Sequence, residues 1–148
     1  MPIRKAIYVA TALFIGTSAF AQQRQQGTHF IENWDLNGDG HVTLAEAQEK
    51  RGELFYMFDS DENGLLNSEE YDLFDETRHA DMNENAGGHK KGAMRGIDQA
   101  MTRQFNDVDA DGMVSKDEFI TRSEAWFTMM DRNSDGVVTV ADFGRKGG

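Results

Sequence analysis

The chain has 148 residues, a formal net charge of −11 and no cysteine. It therefore forms neither a disulfide nor a thiolate metal site, and its charge repels nucleic acid and anionic membranes. It carries no P-loop, G-x-S-x-G elbow, H-E-x-x-H motif or cysteine nucleophile, so the sequence predicts a binding protein and not an enzyme.

Residues 1–21 read as an export signal. Arg4 and Lys5 form a basic start, an apolar run extends from Ala6 to Ile15, and Ala19-Phe20-Ala21 is an A-x-A cleavage site. The run is broken by Gly16, Thr17 and Ser18, and is short against the roughly 20 residues of a membrane span. Cleavage after Ala21 predicts a periplasmic or secreted chain with no membrane association of its own. It would hold 13 basic and 26 acidic residues, a charge of −13, and is long enough for one domain or two small lobes. Residues 22–28 are polar and predicted to be disordered.

A short helix follows, with Phe30, Ile31 and Trp34 on one face. Then comes a twelve-residue pattern that recurs four times. Its first copy, 35–46, reads Asp35, Asn37, Asp39, Gly40, His41, Thr43 and Glu46 at positions 1, 3, 5, 6, 7, 9 and 12. The second, 59–70, reads Asp59, Asp61, Asn63, Gly64, Leu65, Asn67 and Glu70. The third, 107–118, reads Asp107, Asp109, Asp111, Gly112, Met113, Ser115 and Glu118. The fourth, 131–142, reads Asp131, Asn133, Asp135, Gly136, Val137, Thr139 and Asp142.

Calcium is a hard cation that takes six to eight oxygens. Alternate residues of a tightly wound loop point inward, so positions 1, 3 and 5 reach one point. Position 7 contributes its backbone carbonyl, which leaves His41, Leu65, Met113 and Val137 free in side chain. Glutamate at position 12 swings back with two oxygens, and glycine at position 6 permits the sharp turn. Position 8 is aliphatic in every copy (Val42, Leu66, Val114, Val138), suited to a short antiparallel bridge between loops. These features resemble the EF-hand superfamily, with calmodulin's number of loops, over nearly all of the chain after residue 28. The resemblance implies an all-α fold: four EF-hand loops in a compact helical bundle, with short β-bridges between paired loops and calcium as the bound ion.

Between loops 1 and 2 the predicted helix carries Leu44, Ala47, Leu54, Phe55 and Phe58. After loop 2, Ser68 is a candidate cap for a helix bearing Tyr71, Phe74 and Met82. Residues 29–82 form the first loop pair, and 83–93, with three glycines, a flexible linker. Residues 94–144 form the second pair. There Met94, Ile97, Met101 and Phe105 make a helical stripe, and Phe119, Ile120, Ser123, Trp126, Phe127 and Met130 an amphipathic helix. A turn or less remains after loop 4.

Within each pair the loops start 24 residues apart, leaving 12 residues between them (47–58 and 119–130). That is one helix of roughly 18 Å, so each pair is predicted to share a single helix with its loops at opposite ends. Loops 1 and 2 then cannot bridge each other, and the spacing predicts pairing of 2 with 3 and of 1 with 4. Short spacing, four loops and the signal together are similar to lanmodulin, which implies lanthanide binding as the alternative. The departures are at position 2, where Leu36, Ser60, Val108 and Arg132 replace that family's proline, and at position 9, where no aspartate occurs.

Loop 3, with four carboxylates, is expected to bind most tightly; the others offer three each. Loop 4 has the shorter Asp142 at position 12, which predicts weaker calcium binding or tolerance of magnesium. Met94, Met101, Met129 and Met130 suit an adaptable surface for a protein target, with core filling as the other reading. A structural exported module that needs calcium to fold is a further alternative.

Overall fold

The computed structural model describes residues 27–85 and 93–144. Residues 1–21, where the sequence predicts an export signal, and residues 22–26, 86–92 and 145–148 lie outside them. The described residues form helices α1 (Thr28–Trp34), α2 (Leu44–Phe58), α3 (Ser68–Asn85), α4 (Ala93–Ala100), α5 (Arg103–Asn106), α6 (Lys116–Thr121), α7 (Ser123–Met130) and α8 (Val140–Phe143). Two-residue strands β1 (Leu65–Leu66) and β2 (Val114–Ser115) complete them. None of these helices is long and apolar enough to cross a membrane.

Each acidic loop ends by starting a helix, and the same side chains do both jobs. Thr43 accepts from the Glu46 amide while the Glu46 side chain accepts from the Thr43 amide, a capping box that opens α2. Ser115 with Glu118 opens α6, and Thr139 with Asp142 opens α8, in the same way. At α3 the capping side chain is Asn67, which accepts from the amides of Glu69 and Glu70 at 2.9 and 3.1 Å. Ser68, the expected cap, is already inside that helix. Carboxylates in these first turns also face the positive ends of the helix dipoles.

The two central helices differ. Residues 47–58 lie within the single helix α2, as the spacing predicts. The 119–130 stretch is broken at Arg122 into α6 and α7, a correction to the single shared helix. Thr121 and Ser123 flank the break, both poor helix formers, and Ser123 is fully buried. The stripe from Met94 to Phe105 is also broken, between α4 and α5. There Thr102 is extended (ψ 155°) and the Tyr71 hydroxyl donates to the Met101 carbonyl at 2.6 Å. The Asn106 side chain donates to the carbonyls of Ala100 (3.3 Å) and Thr102 (2.9 Å). Side chains thus satisfy the Ala100 and Met101 carbonyls, which helix continuation would have paired, while the Thr102 carbonyl also accepts from the Phe105 and Asn106 amides. Two sequence boundaries shift as well: Thr28 opens α1, and residues 83–85 and 93 are helical rather than linker.

The loops meet across the two halves of the chain. Leu66 lies opposite Val114, and Leu65 opposite Ser115, in an antiparallel pair joining loops 2 and 3. Val42 and Val138 exchange backbone hydrogen bonds of 2.9 and 2.8 Å, joining loops 1 and 4. This is the pairing expected from two loops at opposite ends of one helix. All four position-8 side chains are buried, so the bridges also plug the core.

Beneath the bridges sit two aromatic groups. At the loop 1–4 end, Trp34 lies 4.5 Å from Trp126, and Phe30 packs on Trp34, Trp126 and Phe143 with centroids 5.2–6.0 Å apart. At the loop 2–3 end, Phe74 contacts Phe58, Tyr71 and Phe119, and Phe119 reaches Phe55. The first and last elements touch: Gly27 caps α1 with φ +85°, and a Cβ there would fall 2.2 Å from the Phe143 ring. Met101 and Met130 are core residues, while Met129 is exposed, as are Tyr56, Met57 and Leu73. The adaptable surface expected of the methionines therefore loses two of its members to packing.

Candidate metal centres

The four loops are wound by one hydrogen-bond scheme. Position 1 gathers amides from within its own loop. Asp35 Oδ2 accepts from Gly40 (2.7 Å), Asp59 Oδ2 from Gly64 (2.9 Å), Asp107 Oδ2 from Gly112 (3.0 Å) and Asp131 Oδ2 from Gly136 (2.8 Å). Position 3 accepts from the position-5 amide: Asn37 from Asp39, Asp61 from Asn63, Asp109 from Asp111 and Asn133 from Asp135, at 2.9–3.2 Å. Position 5 in turn accepts from the position-7 amide: Asp39 from His41, Asn63 from Leu65, Asp111 from Met113 and Asp135 from Val137, at 2.7–3.1 Å. The amides turn side-chain oxygens toward the inside of each loop and hold them there. The position-6 glycines all lie at φ between 80° and 89°, a region that L residues enter only at a cost.

Position 4 shares that left-handed backbone, which the sequence reading did not anticipate. Gly38 has φ 76°, Glu62 56°, Ala110 60° and Ser134 59°. Only one of the four is glycine, so no residue type marked the position. Its repetition in every copy shows that the winding of the loop imposes it.

Position 12 closes each loop on itself. One carboxylate oxygen accepts from the position-2 amide: Glu46 from Leu36 (3.2 Å), Glu70 from Ser60 (2.8 Å), Glu118 from Val108 (2.9 Å) and Asp142 from Arg132 (3.0 Å). The other oxygen accepts from position 9: Thr43 (2.9 Å), Asn67 (3.1 Å), Ser115 (2.8 Å) and Thr139 (2.9 Å). Asp142, one methylene shorter than glutamate, makes the same pair of contacts. His41 is exposed, its ring 3.3 Å from Asp39 Oδ1.

In loops 2 and 3 the carboxylates converge. Oxygens of Asp59, Asp61 and Glu70 lie within 4.8 Å of one another, as do those of Asp107, Asp109 and Glu118. Two ligands of one calcium, each at 2.3–2.6 Å, lie no more than about 5 Å apart. The clusters therefore have the span of a calcium cage, and three like charges so close gain by sharing a cation. Loops 1 and 4 place neutral Asn37 and Asn133 at position 3, where these clusters have aspartate. In loop 4 the Asn133 amide donates to Asp135 at 2.8 Å.

Backbone amides also tune acidity. The Gly40 amide, with those of Gly38, Asp39 and Asn37, holds Asp35 below its usual range against the opposing effect of burial. Burial pushes Glu70 up, but the Ser60 hydroxyl and the amides of Asn67, Ser60 and Asp61 outweigh it. For Glu118, burial is likewise outweighed by the Ser115 amide and hydroxyl and by the Val108 and Asp109 amides. Carboxylates held lower in the folded than in the unfolded state stabilise the fold fully above their unfolded value of about 4.3 for glutamate. That contribution disappears as pH falls through the lower folded values. The metal-free melting temperature should therefore drop between pH 5 and pH 3 in circular dichroism; a flat profile would contradict this reading of the loops.

The EF hand family model matches residues 104–121 and 124–145, which is 40 of the 148 residues. No curated protein matches the chain. The matched segments hold the third and fourth loops, and on them the chain is similar to EF-hand proteins, which supports membership of the EF-hand superfamily.

Proposed function

We propose that this protein binds calcium at all four loops and acts outside the cytoplasm as a buffer or sensor, by binding and not by catalysis. The observation that carries the reading is the shared winding. Four segments of different sequence aim the oxygens of positions 1, 3 and 5 with the same amides and close on the same position-12 carboxylate. Bound calcium supplies positive charge at the centre of each loop. The chain's own part is to offer Asp35, Asn37, Asp39 and Glu46 in loop 1 and the equivalent residues in the others. Amide and hydroxyl donors also hold the pKa values of Asp35, Glu70 and Glu118 below their usual range.

Calorimetry on the chain lacking residues 1–21 should show four calcium equivalents. Glu118→Gln removes one oxygen charge from loop 3 and should abolish or weaken by at least about tenfold a single equivalent, leaving three. Four unchanged equivalents in that variant would place the ion elsewhere. A buffer leaves the binding of an apolar dye unchanged on calcium addition, whereas a sensor raises it.

The lanthanide alternative has less support. In every loop the position-2 amide donates to the position-12 carboxylate, a bond that proline at position 2 could not make. Lanthanum competing successfully at a hundredth of the calcium concentration would restore that reading.

A further inference from the structure

Arg51 lies on the core face of α2, four residues after Ala47 and four before Phe55, and is fully buried. Its Nε and Nη2 donate to the Phe119 carbonyl at 3.2 and 2.8 Å. Nη2 also donates to Asn106 Oδ1 at 2.7 Å, and Nη1 to the Met101 sulfur. The guanidinium lies 4.0 Å from the Phe119 ring centroid and 5.2 Å from that of Trp126. Among the described residues no carboxylate hydrogen-bonds it. Burial lowers its pKa to about 10, against an opposing influence of Tyr71, so it is charged at neutral pH.

A buried cation served only by neutral acceptors is an expensive way to fill a core. What its acceptors share is their place in the chain. Asn106 immediately precedes Asp107, and Phe119 immediately follows Glu118. One guanidinium therefore holds both ends of loop 3. Asn106 extends the chain of bonds by donating to the Tyr71 hydroxyl at 3.0 Å, and Tyr71 immediately follows Glu70, the last residue of loop 2. Loops 1 and 4 are flanked differently, by the rings of Trp34 and Phe143.

We propose that Arg51 is a positioning residue for the metal sites of loops 2 and 3, fixing the ends of these loops before any ion arrives. The proposal rests on the calcium-binding reading above. In an EF-hand that opens on binding, the helices flanking a loop change their angle. Here α5 and α6 cannot separate while both are bonded to one buried group on α2. The loop 2–3 pair is thereby preorganised, so less ordering remains to be done when the ion binds. These are also the two loops in which three carboxylates converge.

The amides of Gly40, Gly64, Gly112 and Gly136, one in each loop, give a separate reading of every site by heteronuclear NMR during a calcium titration. In Arg51→Lys, which keeps the charge and loses the fork, the Gly64 and Gly112 midpoints should rise about 10- to 100-fold, while those of Gly40 and Gly136 stay within about threefold. A merely structural role would move all four alike, and equal movement or none would overturn the proposal. If Arg51→Lys does not fold, Tyr71→Phe keeps the ring and cuts the link to loop 2. Gly64 should then weaken more than Gly40 and Gly136, and equal weakening overturns the proposal. A wild-type chain in which no glycine responds to calcium would sink the metal reading itself, and this one with it. Four responding glycines with no Arg51 selectivity would sink this one alone.

Discussion

Trp126→Ala should lower the unfolding free energy by about 3–5 kcal/mol, the usual cost of deleting a buried tryptophan. Trp126 is completely buried, its ring against Trp34 at 4.5 Å and Phe30 at 6.0 Å, with the Arg51 guanidinium 5.2 Å away. It joins α7 to α1 and to the buried cation, so no single neighbour can collapse into the space it leaves. Domains of this size are stable by only about 5–15 kcal/mol. The variant should thus lose a large share of its stability without metal and regain much of it with calcium, since a ligand at a hundred times its Kd returns about 2.7 kcal/mol per site. Urea unfolding with and without calcium measures both quantities. A loss below about 1 kcal/mol would mean that the cluster is not packed as described.

The second large effect concerns which partner of the buried polar cluster matters more. Removing Arg51 leaves two neutral acceptors, Phe119 O and Asn106 Oδ1, unpaired. Removing Asn106 leaves a buried cation with one acceptor fewer, and also strips a donor from Tyr71 and from the carbonyls of Ala100 and Thr102. Unsatisfied neutral groups cost about 1–3 kcal/mol and charged ones more. Asn106→Leu should therefore destabilise by about 3 kcal/mol or more, and Arg51→Met, of similar length and apolar, by less. Chemical unfolding of both variants in metal-free buffer gives the order. The reverse order would show that Arg51 is held by packing on Phe119 and Trp126 rather than through Asn106.

Local chemistry made the loops legible. Oxygen side chains at fixed offsets around a glycine define a loop whatever the rest of the chain does, and twelve residues between loops are too few for two helices that turn back to pair those loops. From these two facts the cross-half bridges at Leu66–Val114 and Val42–Val138 could be anticipated. The breaks at Thr102 and Arg122 could not: the stripes run on through both, and the first depends on partners supplied from elsewhere. The Met101 carbonyl is free to leave its helix only because Tyr71, 30 residues earlier, offers a hydroxyl. The α3 cap is Asn67, one residue before the expected Ser68, because position 9 serves as the cap in all four loops.

The polar cluster was missed although two signals pointed to it. Arg51 stands in an otherwise apolar stripe of α2. The residue directly before the loop is Trp34, Phe58 or Met130 in three copies and Asn106 in the third. Each oddity alone reads as surface. Only the fold, which brings residues 55 positions apart to 2.7 Å, turns them into one feature.

The cross-half bridging has a further consequence. Loops 1 and 3 start 72 residues apart, and so do loops 2 and 4, so the two halves repeat one loop spacing and bridge each other reciprocally. Exchanging the halves maps the 2–3 bridge onto the 1–4 bridge, the relation of an isologous dimer written into a single polypeptide. Among the described residues both loop bridges join one half to the other. Positions 51 and 123 break the symmetry: both are fully buried, but one is arginine and the other serine. Two copies of the first half would bury two guanidinium groups where the whole chain buries one, and two copies of the second would bury none. Only the pairing of unlike halves gives the core a single guanidinium, bonded to Asn106 and to the Phe119 carbonyl.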